Sequence, residues 1–530
     1  MKKNILIIIY CLLGGFASAQ NLTDGLRYSM EELNGTARFK AMSGAFSSLG
    51  GDLSAISLNP AGSTIFADSE IALTAGSHST QNKSTYFGTG KTVNSSDFSL
   101  DQFGIVLPIS LLSDGWKKMS FGFNYQRTHN FNPQDLIYNG QTTGKNLGDY
   151  FQYYAEGIEQ QNLMLQEYNS EKKPSQRWRL DDLYSSYGRA QRFSPYRLRN
   201  ALLGYTVGLV KPLSGNTSIN PSMTDDQANA VLNETTYEKN ISPNATTIQN
   251  IEHYTEGGVN KYSFNFGACY DFFSFGINLN THSVDYRSLT RHRETYLNNT
   301  KSTITSAYFQ NDVKTTGNGF SLQLGAIAEV AKGVRLGLTY ISPTWYNLQD
   351  EIAQSLSANN GDYYANPNVV AVYDRYHFRT PSSWIVGASW VWNKQLILSG
   401  DYIYKGYGKI YYSTDNLKSE NSIIEQTLGD TSALRFGAEY RFIIHDKVNL
   451  FLRTGYRYEQ SPYKTNLKPI GDLNGFSTGA GIAFRGMRFD LSYDMAEQTR
   501  YPQIYESVLT DTPKTNSTFQ TLLLSVTFKL

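Results

Sequence analysis

Along most of the chain, apolar and polar residues alternate singly in runs of about ten, parted by Gly, Ser, Asn or charged residues. Met119, Phe121, Phe123 and Tyr125 stand between Ser120, Gly122, Asn124 and Gln126. Tyr262, Phe264, Phe266, Ala268 and Tyr270 repeat the pattern, as do Trp384, Val386, Ala388, Trp390 and Trp392. Side chains on an extended chain point alternately to opposite sides, so this alternation predicts strands with one greasy and one polar face. Fourteen such strands are expected, near 69–77, 98–109, 116–127, 259–270, 272–285, 318–330, 333–343, 382–392, 395–405, 431–443, 447–459, 474–485, 487–496 and 518–530.

A soluble sandwich also alternates, and the connections separate it from a membrane barrel. Short turns near Ser113-Asp114-Gly115, Asp271-Phe272, Lys332-Gly333, Asn393-Lys394, His445-Asp446 and Gly486 alternate with long polar segments. The long segments run 78–97, 128–258, 290–317, 346–379, 406–430, 460–473 and 498–515. Tight turns at one end and long loops at the other are the arrangement of an outer-membrane barrel. A further apolar stretch, 201–211, has long connections on both sides and no short-turn partner. It is assigned to the loop 128–258, with its own conformation left open. In the last strand Leu522, Leu524, Val526, Phe528 and Leu530 share a face, and pairing it with the first strand would leave no edge free. The expected fold class is all-β: a transmembrane antiparallel barrel of fourteen strands, here residues 69–530.

Composition fits that picture. Tyr (38) and Phe (28) are abundant while charged residues make up 18%, a mixture suited to many interfacial aromatics. The net charge of +1 gives no case for a nucleic-acid partner. Lys2 and Lys3, the apolar run 5–16 and Ala17-Ser18-Ala19 have the order of a secretory signal peptide, so residues 1–19 are expected to be removed on export. Cys269 would then be the remaining cysteine, which allows neither an intrachain disulfide nor a Cys₄ metal site.

Candidate chemistry is sparse. Gly475-Phe476-Ser477-Thr478-Gly479 matches a nucleophile elbow but lies inside an alternating strand, where the required strand-to-helix turn is missing. Gly90-Lys91-Thr92 echoes a phosphate loop, but Thr85 stands where its first Gly is needed. The histidines lack ligand spacing. No catalytic residue, cofactor or metal site is expected, and the chain is not read as an enzyme. Charge does gather late on the polar faces, at Arg435, Glu439, Arg441, Arg453, Arg457, Arg488, Asp490 and Asp494. A mutually paired ladder along the lumen wall is one reading, and an anionic-headgroup site the other. In the long loop, Phe151, Tyr154 and Ile158 fall near helical spacing, so they form either a self-packed cap or an apolar groove for a greasy ligand.

One stretch stands apart from the strands. Residues 35–62, GTARFKAMSGAFSSLGGDLSAISLNPAG, are dense in Gly, Ala and Ser and close on Asn59-Pro60-Ala61. Asp52 is placed to cap a short helix beginning at Leu53, and Pro60 to stop it. This stretch resembles the outer-membrane long-chain fatty-acid and aromatic-hydrocarbon transporters of the FadL/TodX type. The likeness extends more loosely to Thr380-Pro381, Leu452-Arg453-Thr454-Gly455-Tyr456 and the segment 475–481. The resemblance implies a small N-terminal hatch, residues 20–68, lodged in the lumen, with Gly50, Gly51, Asp52, Asn59, Pro60 and Ala61 as its motif. It implies passive transport of hydrophobic small molecules (fatty acids, aromatics or porphyrin-like ligands) by an outer-membrane monomer in contact with lipid and lipopolysaccharide. Ligands would leave sideways at a kink in the third strand, for which Gly122 is the candidate, because strand Gly often marks a bulge. The alternative in the same mould is a scaffold for protein secretion or surface display.

Overall fold

The computed structural model describes residues 22–111, 115–165, 180–187, 193–220, 222–445, 448–464, 468–505 and 508–530. The expected leader 1–19 and the turn residues Ser113, Asp114 and Asp446 lie outside the described residues. Fourteen strands among the described residues build the wall: β1 (Glu70–Tyr86), β2 (Thr89–Ser110), β3 (Trp116–Asn130), β4 (Thr246–Tyr270), β5 (Phe273–Leu297), β6 (Ser306–Ala331) and β7 (Val334–Ile341), then β8 (Ser383–Trp392), β9 (Leu396–Gly406), β10 (Asp430–His445), β11 (Val448–Glu459), β12 (Ile470–Phe484), β13 (Met487–Arg500) and β14 (Lys514–Lys529). Neighbours pair antiparallel, and β14 closes on β1 with Glu70 opposite Lys529. Closure leaves the backbone groups of the wall paired within the sheet, the condition for spanning hydrocarbon.

The two faces follow the alternation. Phe121, Phe264, Leu324, Trp384, Phe436 and Leu452 face outward and are exposed, an apolar surface that water would not tolerate and lipid covers. Aromatic pairs tie β3 to β4 on that side: Phe121–Phe266, Phe123–Phe264 and Tyr125–Tyr262 each have ring centroids 5.4 Å apart. Ser120, Asn124, Asn265 and Asn278 face inward and are buried. Tight turns at one rim use left-handed residues such as Asn393 (φ 50°) and Lys394 (φ 56°).

The strands outrun the expected spans at the other rim. Residues 78–97 are no loop: from His78 opposite Asp97, β1 and β2 pair in continuous register up to Tyr86 and Thr89, joined at Phe87-Gly88. Likewise β5 and β6 run on through most of 290–317, and Trp345–Ala358 extends the wall beyond β7 by pairing with β6. Above the bilayer a strand needs no greasy outer face. There β5 turns Arg287 outward to Asp312 and Glu256, so a search for an apolar face stops too early.

The loop 128–258 begins and ends in strand. Leu136–Thr142 pairs with the upper part of β4. Between them lie helices Leu147–Ala155, Leu180–Ser186, Pro195–Val207 and Asp225–Leu232, with a small sheet of Val210–Pro212 on Tyr237–Lys239. The open stretch 201–211 is therefore mostly helix. Ser194 caps that helix at its start and Gly208, at φ 80°, ends it.

Candidate functional site

The N-terminal segment lies inside the barrel as a chain of short, capped turns. Thr36 caps Ala37–Ala41 through the Phe39 amide (3.1 Å) and donates its own hydroxyl to Asp52 (2.7 Å). Asp52 caps Leu53–Ile56 by accepting from the Ser54 amide at 3.0 Å. Pro60 does not simply stop that helix. It opens a second one, the 3₁₀ turn Pro60–Ile65, where a missing N–H costs nothing and Asn59 is the cap. The Asn59 Oδ1 accepts from the Ala61 amide at 3.1 Å, while its Nδ2 donates to the Ser47 carbonyl (2.6 Å) and to the Ala326 carbonyl of β6 (3.1 Å). One amide thus ties two hatch segments to the wall. At Gly325, beside Ala326, a Cβ would lie 2.0 Å from the Asn59 Oδ1, so the wall is bare where the hatch touches it. Gly50 and Gly51 take φ of 60° and 64°, a turn that L side chains resist. The Pro60 carbonyl accepts from Asn265 of β4 at 3.0 Å, and Ala61 is fully buried.

Buried charge fixes the opposite side of the hatch. Arg38 makes a forked pair with Glu439 of β10 (2.8 and 3.0 Å). Arg453 of β11 shares that carboxylate and reaches Asp490 of β13 at 2.8 Å, to which Arg488 also donates at 2.8 Å. Lys40 lies 3.4 Å from Asp494, which also holds Arg457. Asp401 of β9 accepts the Phe46 and Ser47 amides at 3.0 Å each. Apart from Arg441, for which no ion pair is seen among the described residues, the late charges form a paired ladder, and the hatch supplies two of its cations. Ser477, from the rejected elbow motif, is a clamp: it accepts from the Ser43 amide and donates to the Ala41 carbonyl, both at 3.0 Å.

Above the hatch the lumen opens into a cavity of about 920 Å³, lined by apolar Leu26, Met30, Phe131, Ile352 and Ile403 together with Lys405, Arg435 and Arg500. On the extracellular extension of β4, burial and the nearby Arg27 guanidinium push His253 down to about 4, so it meets the cavity neutral. Phe151, Tyr154 and Ile158 do not line an open groove. They pack with Leu183, Leu202 and Phe309 into the core of the loop cap, and Tyr154 borders a cavity of about 40 Å³. The residues of that helix region turned to the large cavity are Tyr153 and Tyr196.

The irregularity expected at Gly122 falls elsewhere. Gly122 sits in regular register opposite Val106 and Asn265, and a Cβ there would make ordinary contacts of 3.4 Å or more. In the ladder with β4, β3 itself breaks register at Lys117 and at Thr128, and on the other side, in β2, the break is at Asp101. In the β1–β2 ladder Thr74 faces Gln102 and Ala75 faces Leu100, so Asp101 is an extra, bulged residue. The β2–β3 ladder ends at the same level, with Gln102 opposite Gln126. Above it β2 stays with β1 and β3 with β4. His78 (3.0 Å) and Ser99 (2.9 Å) hold the bulged carboxylate. Asp97 reaches across to Asn130 (3.1 Å) and Arg127 (3.7 Å), and Asn82 bonds to the Asp135 carbonyl at 2.7 Å higher up. The N-terminal segment stands behind the opened wall, with the Glu32 amide donating to the Thr128 carbonyl at 2.8 Å.

Residues 227–520, more than half of the chain, match the family model described as outer membrane protein transport protein (OMPP1/FadL/TodX). A FadL homologue from Pseudomonas aeruginosa has the same fold: 14% identity, TM-score 0.52, covering 94% of this chain and 99% of that one. The toluene transporter TodX of Pseudomonas putida is similar at 12% identity and TM-score 0.47, covering 94% of this chain and 99% of its own. No curated protein matches the chain by sequence. Closed barrel, lodged N-terminal segment and family match agree, and the chain belongs to the OMPP1/FadL/TodX family of outer membrane transport proteins.

Proposed function

We propose that the protein is a passive conduit for hydrophobic small molecules across the outer membrane: they dock under the extracellular cap, rest in the lumen cavity and leave sideways between β2 and β3. The observation that carries this reading is the ladder break at Asp101, because the hatch below is tied to the wall on several sides and a straight route would have to break those ties. A greasy solute gains about 25 cal/mol per Å² of apolar surface withdrawn from water, and a sideways exit keeps that gain by releasing it directly into hydrocarbon. No energy source is needed for such transfer; the concentration gradient suffices.

Deleting Asp101 tests the route. Removal of the extra residue brings β1 and β2 into continuous register and lets the upper part of β2 follow β3. Uptake of a labelled fatty acid by cells making the variant should fall to that of cells lacking the protein, while heat-modifiable migration on gels reports an intact barrel. Wild-type uptake by a folded deletion variant would overturn the exit. Equal uptake with and without the wild-type protein would overturn transport itself.

A further inference from the structure

Above Gln102 the parted wall is a window with two closed ends. Its lower end is the last rung of the β2–β3 ladder, where Gln102 also donates to the Asn124 side chain at 2.7 Å. At its upper end Asn82 of β1 holds the Asp135 carbonyl at 2.7 Å, and the Tyr86 and Tyr138 rings pack 5.6 Å apart. Both edges are bulged, β2 at Asp101 against β1 and β3 at Thr128 against β4, and a bulge bends its strand. From inside, the lumen cavity reaches the window at His78, Asn130 and Phe131. On the outer face Phe98 and Leu100 are exposed.

One carboxylate crosses the space between. Asp97 of β2 accepts from the Asn130 side-chain amide at 3.1 Å and lies 3.7 Å from the Arg127 guanidinium, both on β3. Among the described residues no other side chain of β2 above Gln102 bonds to β3. His78, opposite Asp97 in the β1 ladder, is taken by Asp101, and Glu32 holds the Asn130 backbone amide from behind at 3.2 Å. We propose that Asp97 is the latch of the sideways exit: its contacts to Asn130 and Arg127 close the window at rest and set the rate at which a solute leaves. The inference rests on the reading of the gap between β2 and β3 as the exit and adds the residue that controls it. Backbone groups in a ladder, about 4.8 Å apart, would seal the wall outright. A side-chain crossbar seals it reversibly, because Asp97 and Arg127 keep about a fifth of their side-chain surface exposed (20% and 21%) and part at little cost.

Initial uptake of labelled dodecanoate by cells making each variant, scaled to the amount of barrel with heat-modifiable migration, tests this. Asp97→Ala should raise the rate about fivefold, the scale of a charged hydrogen bond partly screened by solvent. Asp97→Asn, which keeps an acceptor for Asn130 but loses the pair with Arg127, should fall between. Adding Arg127→Ala to Asp97→Ala should bring no further gain, since both remove one contact. A merely structural role would slow uptake instead. Asp97→Ala at or below the wild-type rate overturns the latch while the exit stands, and so does a fivefold gain that Asp97→Ala still produces in a chain lacking Asp101. Wild-type uptake by the folded Asp101-deletion variant overturns the exit and the latch with it.

Discussion

At the residue scale, the hatch is held by groups of very different worth. Asn59 makes three neutral hydrogen bonds, whereas Glu439 neutralises Arg38 and Arg453 in a buried setting. Removing one partner of a buried ion pair costs roughly 3–5 kcal/mol, because the charges left behind lose their compensation. Loss of an Asn cap costs about 1 kcal/mol. Glu439→Ala should therefore free the segment 22–62 for protease cleavage in a still-folded barrel, and Asn59→Ala should do so far less; the reverse order would show that the ion pairs are incidental. Part of this was legible. Asp52 stands directly before an apolar turn, a local signal, and its cap is where the sequence put it. The cap at Asn59 reads equally well once Pro60 is taken as a helix opener. Its bond to Ala326 could not be read, since nothing local links residues so far apart in sequence. Arg38 and Lys40 were visible as two cations in a charge-poor stretch, but their partners on β10 and β13 needed the closed sheet.

At the scale of elements, alternation located the fourteen strands of the closed wall because one face must be greasy wherever lipid touches it, but it left the extension Trp345–Ala358 in a loop. It underestimated β1, β2, β4, β5 and β6 because that requirement ends at the membrane surface, while their pairing continues. The Asp101 bulge left a mark that a search for strands alone passes over: the outward apolar set of β2 switches from Phe98 and Leu100 to Phe103, Leu107 and Ile109, the change of phase that one extra residue makes. In the cap, helical spacing marked Phe151, Tyr154 and Ile158 as apolar partners without saying whether they meet ligand or each other. They meet each other, beneath Leu202 and Phe309. Phe151→Ala should then cost about 3–5 kcal/mol of cap stability, the price of emptying a packed site. Limited proteolysis should cut the variant within 147–245 while the wall resists. A cap that stays resistant but loses ligand binding would return Phe151 to a binding surface.

At the scale of the whole molecule, two routes compete, one through the hatch and one through the wall. The hatch is joined to β4, β6, β9, β10, β12 and β13 by hydrogen bonds or ion pairs, so opening a central pore would break contacts around most of the circumference. The wall between β2 and β3 is already unladdered above Gln102, and only side chains bridge it there among the described residues. Breaking a few partly exposed side-chain contacts is far less costly than dissolving a buried charge network. A tether separates the routes. The hydroxyls of Ser43 on the hatch and Ser477 on β12 lie 2.8 Å apart, so Ser43→Cys with Ser477→Cys, in a Cys269→Ser background, should join hatch to wall by a disulfide. The oxidised protein should transport as well as the reduced one, because the sideways path never asks the hatch to leave. Uptake that vanishes on oxidation and returns with reductant would mean that the solute passes through the space the hatch fills.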